Sequence, residues 1–176
     1  MTLISTRDKT FPRRWFLTVD EDCSPFVNGE EAADFVEKVL NDPRGWISHG
    51  YRFVRINVAT GLRLRRNKND WKSVFHIRIS KDATIQAECG FSGLSCADMS
   101  KNTILLNLSR WLHGSEASGL DLVSYRYYVS THEIGHLLGR SHYSCSAYPI
   151  DLCPIMYQQT ISKSCCKPNH LLLDWE

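Results

Sequence analysis

The sequence predicts a single α+β domain of 176 residues. The prediction depends on strand-like segments grouped around one helix, a second helix that follows them, and a composition typical of a globular core. Hydrophobic residues make up 43% and charged residues 23% of the chain, and no linker or internal repeat divides it. We therefore interpret residues 1–176 as one domain, with the sheet and helices in 1–139 and a C-terminal part in 140–176.

The first part of the chain alternates between strand-like and helical patterns. A first strand is expected at residues 16–19. Residues 30–40 then place apolar side chains near helical spacing, and the Asn-Asp-Pro sequence at 41–43 ends that helix. Further segments rich in Val, Ile and Phe, with polar residues between them, predict three more strands. These segments are residues 51–58, 73–80 and 103–108.

A second helix is expected from Asp121 or Ser124 to Leu138. Strands that surround one helix and are followed by another favour an arrangement in which the second helix packs below the sheet.

This second helix carries a pattern of metal ligands. Residues four apart project from the same helical face, so His132 and His136 can offer two imidazole nitrogens to one ion, with Glu133 beside that face. Gly139 can adopt the left-handed conformation that ends a helix, which returns His142 to the same point. Three neutral histidines leave a fourth tetrahedral position open to water, as in a catalytic zinc site. We therefore predict one Zn²⁺ per chain.

Other features of the sequence exclude some partners. The net charge of +2 gives no argument for nucleic-acid binding, and no apolar run approaches the length of a membrane span. The basic run at residues 63–72 is interpreted as a strand that leads into a solvated hairpin loop. We expect a monomer.

The remaining histidines lack metal spacing and are expected to have no metal role; they are His49, His76, His113 and His170.

The chain contains seven cysteines, an unusually large number for its length, and four of them lie in the last 32 residues. In a small protein this predicts disulfides in an oxidising compartment, or metal binding in a reducing one. Adjacent Cys165 and Cys166 are poorly spaced to bind one tetrahedral ion together and suit two separate bridges.

Residues 1–20 do not read as a signal peptide. The chain is therefore expected to be exported after loss of such a segment, with the cytoplasm as the alternative.

Taken with Met156, the histidine pattern resembles the metzincin clan of zinc metalloendopeptidases, whose signature is HExxHxxGxxH followed by a Met-turn. The candidate turn is residues 153–157, called here the methionine turn. A closer likeness, over roughly residues 40–170, is to a family of largely uncharacterised, predicted-exported actinobacterial proteins with a metzincin-like domain. The matching segments are 42–46, 89–96, 107–111, 125–142, Cys145, 154–156 and Cys165 or Cys166.

The resemblance implies a zinc-dependent endopeptidase with a small twisted mixed sheet, a backing helix, an active-site helix and an irregular, disulfide-linked C-terminal segment. It makes Met156 an apolar floor under the zinc ligands. Glu133 becomes the general base that takes a proton from water and delivers it to the leaving amine of a peptide or protein substrate. Residues 103–108 are the candidate edge strand for an extended substrate, with an interior position as the alternative. Tyr157 follows Met156 directly and is left as an oxyanion or wall residue.

The resemblance also implies disulfide pairs. Cys89 is expected to pair with Cys96, and Cys145 with Cys165 or Cys166.

Two alternative functions stay open. An archaemetzincin-like peptidase would hold a second, structural zinc on the C-terminal cysteines, although the long gap to Cys153 and the adjacency of Cys165 and Cys166 argue against it. A catalytically silent zinc-binding protein would keep the metal without the activity, and the presence of Glu133 argues against that.

Overall fold

The computed structural model describes residues 11–67, 70–144, 151–162 and 165–176. Within these ranges the chain forms one five-stranded sheet and five α-helices. The strands are β1 (Arg13–Val19), β2 (Phe53–Arg55), β3 (Val74–Ser80), β4 (Cys96–Asp98) and β5 (Thr103–Asn107). The helices are α1 (Gly29–Leu40), α2 (Val58–Arg66), α3 (Asp82–Cys89), α4 (Leu108–His113) and α5 (Leu122–Leu137). None of the described helices is long and apolar enough to cross a bilayer.

The sheet has the order β2-β1-β3-β5-β4 and is mostly parallel. Only β4 runs antiparallel, against β5. The α+β class and the mixed sheet are therefore confirmed. The prediction that residues 103–108 form the edge is wrong, because β5 lies between β3 and β4 and all of its residues are buried. The edge strand is β4, whose three residues are too few to produce a readable alternation.

Side chains alternate between the two faces of the sheet, as the strand geometry requires. Trp15, Ile77 and Ile104 belong to the main core, which α1 and α5 cover. On the other face Leu105 packs with Ile85 of α3 in a smaller cluster. The second helix of the sequence analysis thus packs against the sheet as expected.

The boundaries of α1 and α5 follow from side-chain caps. The Asn28 carboxamide oxygen accepts hydrogen bonds from the backbone N–H groups of Glu30 and Glu31, at 3.0 and 3.3 Å. An Asp121 carboxylate oxygen accepts from the N–H of Ser124 at 3.0 Å. Both helices therefore begin where the sequence signals place them, with Asp121 as the cap of α5.

In the described residues of the basic run, 63–67 and 70–72, the structure has a helix end and a turn instead of the predicted strand and hairpin. The first part of the run completes α2, which the Asn57 side chain caps by accepting from the N–H of Thr60 at 2.8 Å. This cap also ends the strand expected at 51–58 early. α2 lies close on the sheet at Gly61, where an added Cβ would be 2.2 Å from Cδ1 of Phe16. Gly61 is the buried residue of α2, so the helix face that carries this small residue packs against the sheet.

Two disulfides have both cysteines within the described residues, Cys89–Cys96 and Cys153–Cys166. The first is the expected pair, and it joins the end of α3 to the start of β4. The second overturns the pairing of Cys145 with Cys166, because Cys166 is bonded to Cys153.

The remaining cysteines fall into different states. Cys165 is also disulfide-bonded, whereas the expectation for Cys145 lies outside the described residues. Cys23 is a free, buried thiol, and its burial raises its pKa to about 11. The disulfides are compatible with an extracellular location.

Candidate metal centre

The end of α5 and the turn after it bring three histidines together. α5 ends at Leu137, and Gly139 adopts a positive φ of 86°. The N–H of Arg140 then donates to the carbonyl of Gly135 at 2.9 Å, closing the helix with the geometry that a left-handed residue allows. The reversed chain carries His142 back over the helix, beside His132 and His136.

The three imidazoles have the geometry of a metal site. The Nε2 atom of His142 lies 3.2 Å from Nε2 of His132 and 3.0 Å from Nε2 of His136. Two nitrogens that are each about 2.0–2.1 Å from one tetrahedral ion lie about 3.3 Å apart, so the separations fit a shared ion. Across the described parts of the chain, this is the one group of His, Cys, Asp or Glu side chains placed to hold a metal.

Backbone carbonyls orient two of these rings. Nδ1–H of His132 donates to the carbonyl of Ile155 at 2.7 Å, and Nδ1–H of His136 donates to the carbonyl of Arg140 at 2.8 Å. A carbonyl can only accept, so in each neutral ring Nδ1 carries the proton and Nε2 keeps its lone pair for a ligand bond.

Burial favours the neutral, ligand-competent form of these rings. Burial, with the neighbouring His136, lowers the pKa of His132 to about 3. Burial also lowers the pKa of His136 and of His142. None of the three rings has to release a proton before it binds a metal at neutral pH.

Glu133 is placed in the same cavity as the histidines. Its side chain is only 5% exposed, and burial raises its pKa to about 8. This position beside the histidines lets the carboxyl group exchange a proton with a molecule bound in the cavity.

The methionine turn packs directly against this helix. Met156 is buried, and its Sδ lies where a side chain on Gly135 would be, 2.4 Å from the position of an added Cβ. The Met156 carbonyl accepts from the N–H of Tyr143 at 2.9 Å, while the carbonyl of Ile155 accepts from His132. The turn therefore contacts the helix and the segment that follows the third histidine.

Glu176 anchors the methionine turn from its other side. Its carboxylate accepts the N–H of Ile155 at 3.0 Å and the N–H of Met156 at 3.1 Å. It also accepts the N–H of Leu173 at 3.0 Å. The sequence analysis missed Glu176, because a single acidic residue in an irregular segment gives no signal.

Trp46 is a second supporting residue that sequence reasoning did not identify. Its indole Nε1–H donates to the carbonyl of Thr131, the residue before His132, at 2.8 Å in a buried position. The guanidinium carbon of Arg140 lies 5.6 Å from the centre of its ring. Trp46 falls in the matching segment 42–46, which was the available signal, although the segment did not reveal this contact.

Tyr128 forms part of the wall of the cavity, whereas Tyr157 is not among its lining residues. The role of Tyr157 as an oxyanion residue stays a prediction. The Tyr128 hydroxyl donates to the carbonyl of Tyr157 at 2.8 Å and accepts from the N–H of Gln159 at 2.9 Å. Tyr128 thus forms a fixed wall, since its hydroxyl is already occupied.

The cavity has a volume of about 660 Å³. The three histidines and Glu133 line it, together with β4, Gln158, Thr160 and Ile161. A family model described as a protein of unknown function (DUF3152) matches residues 8–173. The chain belongs to the DUF3152 family. No curated protein and no solved structure matches it.

The DUF3152 match spans the three histidines, Glu133 and the methionine turn, so the whole candidate site lies within the family region. His76 is also in the matched region, but it lies in β3 and is not one of the three clustered histidines. Its ring stacks on Phe16 with centroids 4.3 Å apart, and Nε2 hydrogen-bonds the Thr18 hydroxyl at 2.8 Å.

Proposed function

We propose that this DUF3152 protein is a zinc-dependent endopeptidase of the metzincin type. One observation carries the proposal: three histidine Nε2 atoms with metal-site spacing share an open cavity with the buried carboxyl group of Glu133. A ligand set of three neutral imidazoles with a fourth position left to water is typical of catalytic zinc.

His132, His136 and His142 would hold the zinc. When bound, the zinc supplies a Lewis acid that polarises the scissile carbonyl and lowers the pKa of bound water to about 7. Glu133 takes the proton of the attacking water on a carboxylate oxygen and delivers it to the nitrogen of the leaving amine. The carbonyls of Ile155 and Arg140 keep two of the ligand rings in the required tautomer.

The substrate would be an extended peptide that lies along β4. This strand is at the end of the sheet order, and its residues Cys96, Ala97 and Asp98 line the cavity beside the histidines. An exposed strand edge binds an extended chain through backbone hydrogen bonds, which suits a protein substrate of irregular sequence.

The alternatives are less well supported. A second zinc on the C-terminal cysteines requires free thiolates, but Cys153 and Cys166 are bonded to each other and Cys165 is also in a disulfide. A silent zinc-binding protein would have no need for a buried carboxyl group in the metal cavity, and Glu133 occupies that position.

A peptide-library digest of the zinc-loaded protein tests the proposal. Cleavage should occur, stop with a chelator and return with added zinc. Glu133→Gln should lower kcat by at least about 100-fold and retain one zinc per chain, because the proton acceptor is lost and the ligands remain. Glu116→Gln, at an exposed position outside the cavity, is the matched control and should behave as wild type.

Two outcomes would contradict the proposal. A zinc-loaded wild-type protein that cleaves no library peptide would exclude the endopeptidase. Loss of zinc in Glu133→Gln would mean that Glu133 is a ligand, and the assigned proton acceptor would be wrong.

A further inference from the structure

The cavity extends beyond the histidines to a rim of large apolar side chains. These residues, called here the apolar rim, are Phe91, Leu94, Met99 and Ile161. Phe91 is 42% exposed, Met99 63% and Ile161 55%. Single exposed apolar side chains are common on protein surfaces, but several around one cavity indicate a site that binds apolar groups.

The loop that carries Phe91 and Leu94 is held in place from several directions. The Cys89–Cys96 disulfide closes it. Within the loop, the Gly93 N–H donates to the Asp82 carboxylate and the Gly93 carbonyl accepts from Nε of Arg110. The part of the rim formed by Phe91 and Leu94 is therefore preformed, which reduces the entropy that binding must overcome.

A further bond anchors the end of this loop. The hydroxyl oxygen of Ser95 accepts the N–H of Asn107 at 3.0 Å. Asn107 and Arg110 both belong to the matching segment 107–111, so the structure gives this segment a role as the support of the loop.

Apart from Glu133, the acidic residues that line the cavity are already paired with cations of the same chain. Glu88 binds the Arg78 guanidinium at 2.7 Å, and Asp98 binds the Lys101 ammonium at 3.0 Å. Lys101 also lies 3.7 Å from Glu88. The lining therefore offers little unbalanced charge for a basic or acidic substrate side chain.

We infer that the apolar rim selects substrates, and that the cavity prefers extended peptides that carry a large apolar side chain within reach of the rim. This inference rests on the proposed peptidase function. The rim is continuous with the histidine site along β4, so a peptide lying on β4 places alternate side chains towards it. Phe91 is the main specificity-determining residue, since it is the largest apolar side chain of the rim.

A series of quenched fluorescent peptides that differ at one position tests this inference. The position carries Phe, Leu, Ala, Lys or Glu and is moved in turn along the peptide. At the position that meets the rim, wild type should cleave the Phe and Leu peptides with a kcat/KM at least about tenfold above that of the Lys and Glu peptides. Phe91→Ser should reduce the ratio of kcat/KM between the Phe and Ala peptides about tenfold, and Ile161→Ser should reduce it in the same direction.

Phe26→Ser is the matched control, because Phe26 is 59% exposed and does not line this cavity. It should leave the ratio unchanged. Zinc content, measured for every variant, shows that the site is intact.

A binding measurement separates the inference from the proposed function. Zinc-loaded Glu133→Gln should bind the labelled Phe peptide more tightly than the Lys peptide, and adding Phe91→Ser should remove this preference. If wild type cleaves no peptide but this binding preference is found, the peptidase proposal fails and the apolar rim stands. If wild type cleaves and Phe91→Ser keeps the same ratio, the rim inference is wrong. Absence of both cleavage and preferential binding overturns both.

Discussion

The sulfur of Met156 fills the space that a side chain on Gly135 would need. A Cβ added to Gly135 would lie 2.4 Å from Met156 Sδ and 2.8 Å from Cζ2 of Trp46. The helix that carries the histidines therefore approaches the methionine turn at a distance that only glycine permits. Gly135 lies between His132 and His136. The close approach therefore packs two buried side chains that are distant in sequence, Trp46 and Met156, against the segment that carries these ligands.

Gly135→Ala should destabilise the protein. Alanine is favoured over glycine inside a helix by about 1 kcal/mol, but overpacking against Trp46 and Met156 should lower the free energy of unfolding by about 1–3 kcal/mol. Denaturant unfolding with the disulfides intact measures the change. Gly29→Ala, whose Cβ would meet Val19 at an ordinary 3.4 Å, is the control and should be neutral or stabilising. A Gly135→Ala variant as stable as wild type would show that Trp46 and Met156 can move aside.

Met156→Leu should keep both zinc and activity. The two side chains are similar in volume, so the cost in stability should be under about 1.5 kcal/mol. Thioether sulfur is a poor zinc ligand beside imidazole, and the site already has three histidines. Metal analysis and the peptide assay check this, with Met156→Lys as a variant that should fail in both. Complete loss of zinc in Met156→Leu would make Met156 a ligand.

Trp46→Phe and Trp15→Phe form a pair that isolates one hydrogen bond. Both tryptophans are buried, but only the Trp46 indole N–H donates, to Thr131, while that of Trp15 has no partner among the described residues. Trp46→Phe should therefore cost about 1–2 kcal/mol more than Trp15→Phe in the free energy of unfolding. Equal losses would mean that the Thr131 contact contributes nothing net.

Glu176→Gln should loosen the methionine turn and the metal site together. An amide cannot accept all three backbone N–H groups that the carboxylate binds, so one donor loses its partner at a cost of about 1–3 kcal/mol. Because Ile155 orients His132, zinc affinity should fall by about tenfold, measured by competition with a chelator. Asp174→Asn, at an exposed position nearby, should change neither quantity. An unchanged zinc affinity in Glu176→Gln would show that the anchoring of the methionine turn does not affect the ligand His132.

His76 should make the fold sensitive to acid. Burial, with Arg65 and Arg78 nearby, lowers its pKa from 6.5 to about 3. Between these values the unfolded chain binds a proton that the folded chain does not, so stability is complete above pH 6.5 and falls as the pH falls towards 3. At pH 5 the loss is about 2 kcal/mol relative to neutral pH. His76→Gln should remove that part of the difference in unfolding free energy between pH 7 and 5, whereas exposed His113→Gln should not. The same pH dependence in both variants would contradict the assignment.

The parts of the site that the sequence predicts are those determined by local geometry. The i, i+4 spacing of His132 and His136 and the left-handed turn at Gly139 depend only on neighbouring residues, and the start of α5 at Asp121 is equally local. These features need no knowledge of the rest of the fold.

The parts that the sequence did not predict depend on distant contacts. Trp46 supports Thr131 across 85 residues, and Glu176 reaches Ile155 across 21. The edge position of β4 results from its pairing with β5, and the inward face of α2 results from the fit of Gly61 on Phe16. Such contacts are determined by tertiary packing, which single-residue preferences do not encode.

The bond between His132 and Ile155 has a consequence for the order of events during synthesis. The two residues are 23 positions apart, and the carbonyl that orients the first ligand is made after all three histidines. A chain grows from its N-terminus at about 5–20 residues per second, so the three histidines are added to it before the methionine turn and Glu176. A metal captured by the nascent chain would meet three imidazoles with the His132 ring still free to rotate. Loading with correct geometry therefore requires a chain that already includes the methionine turn.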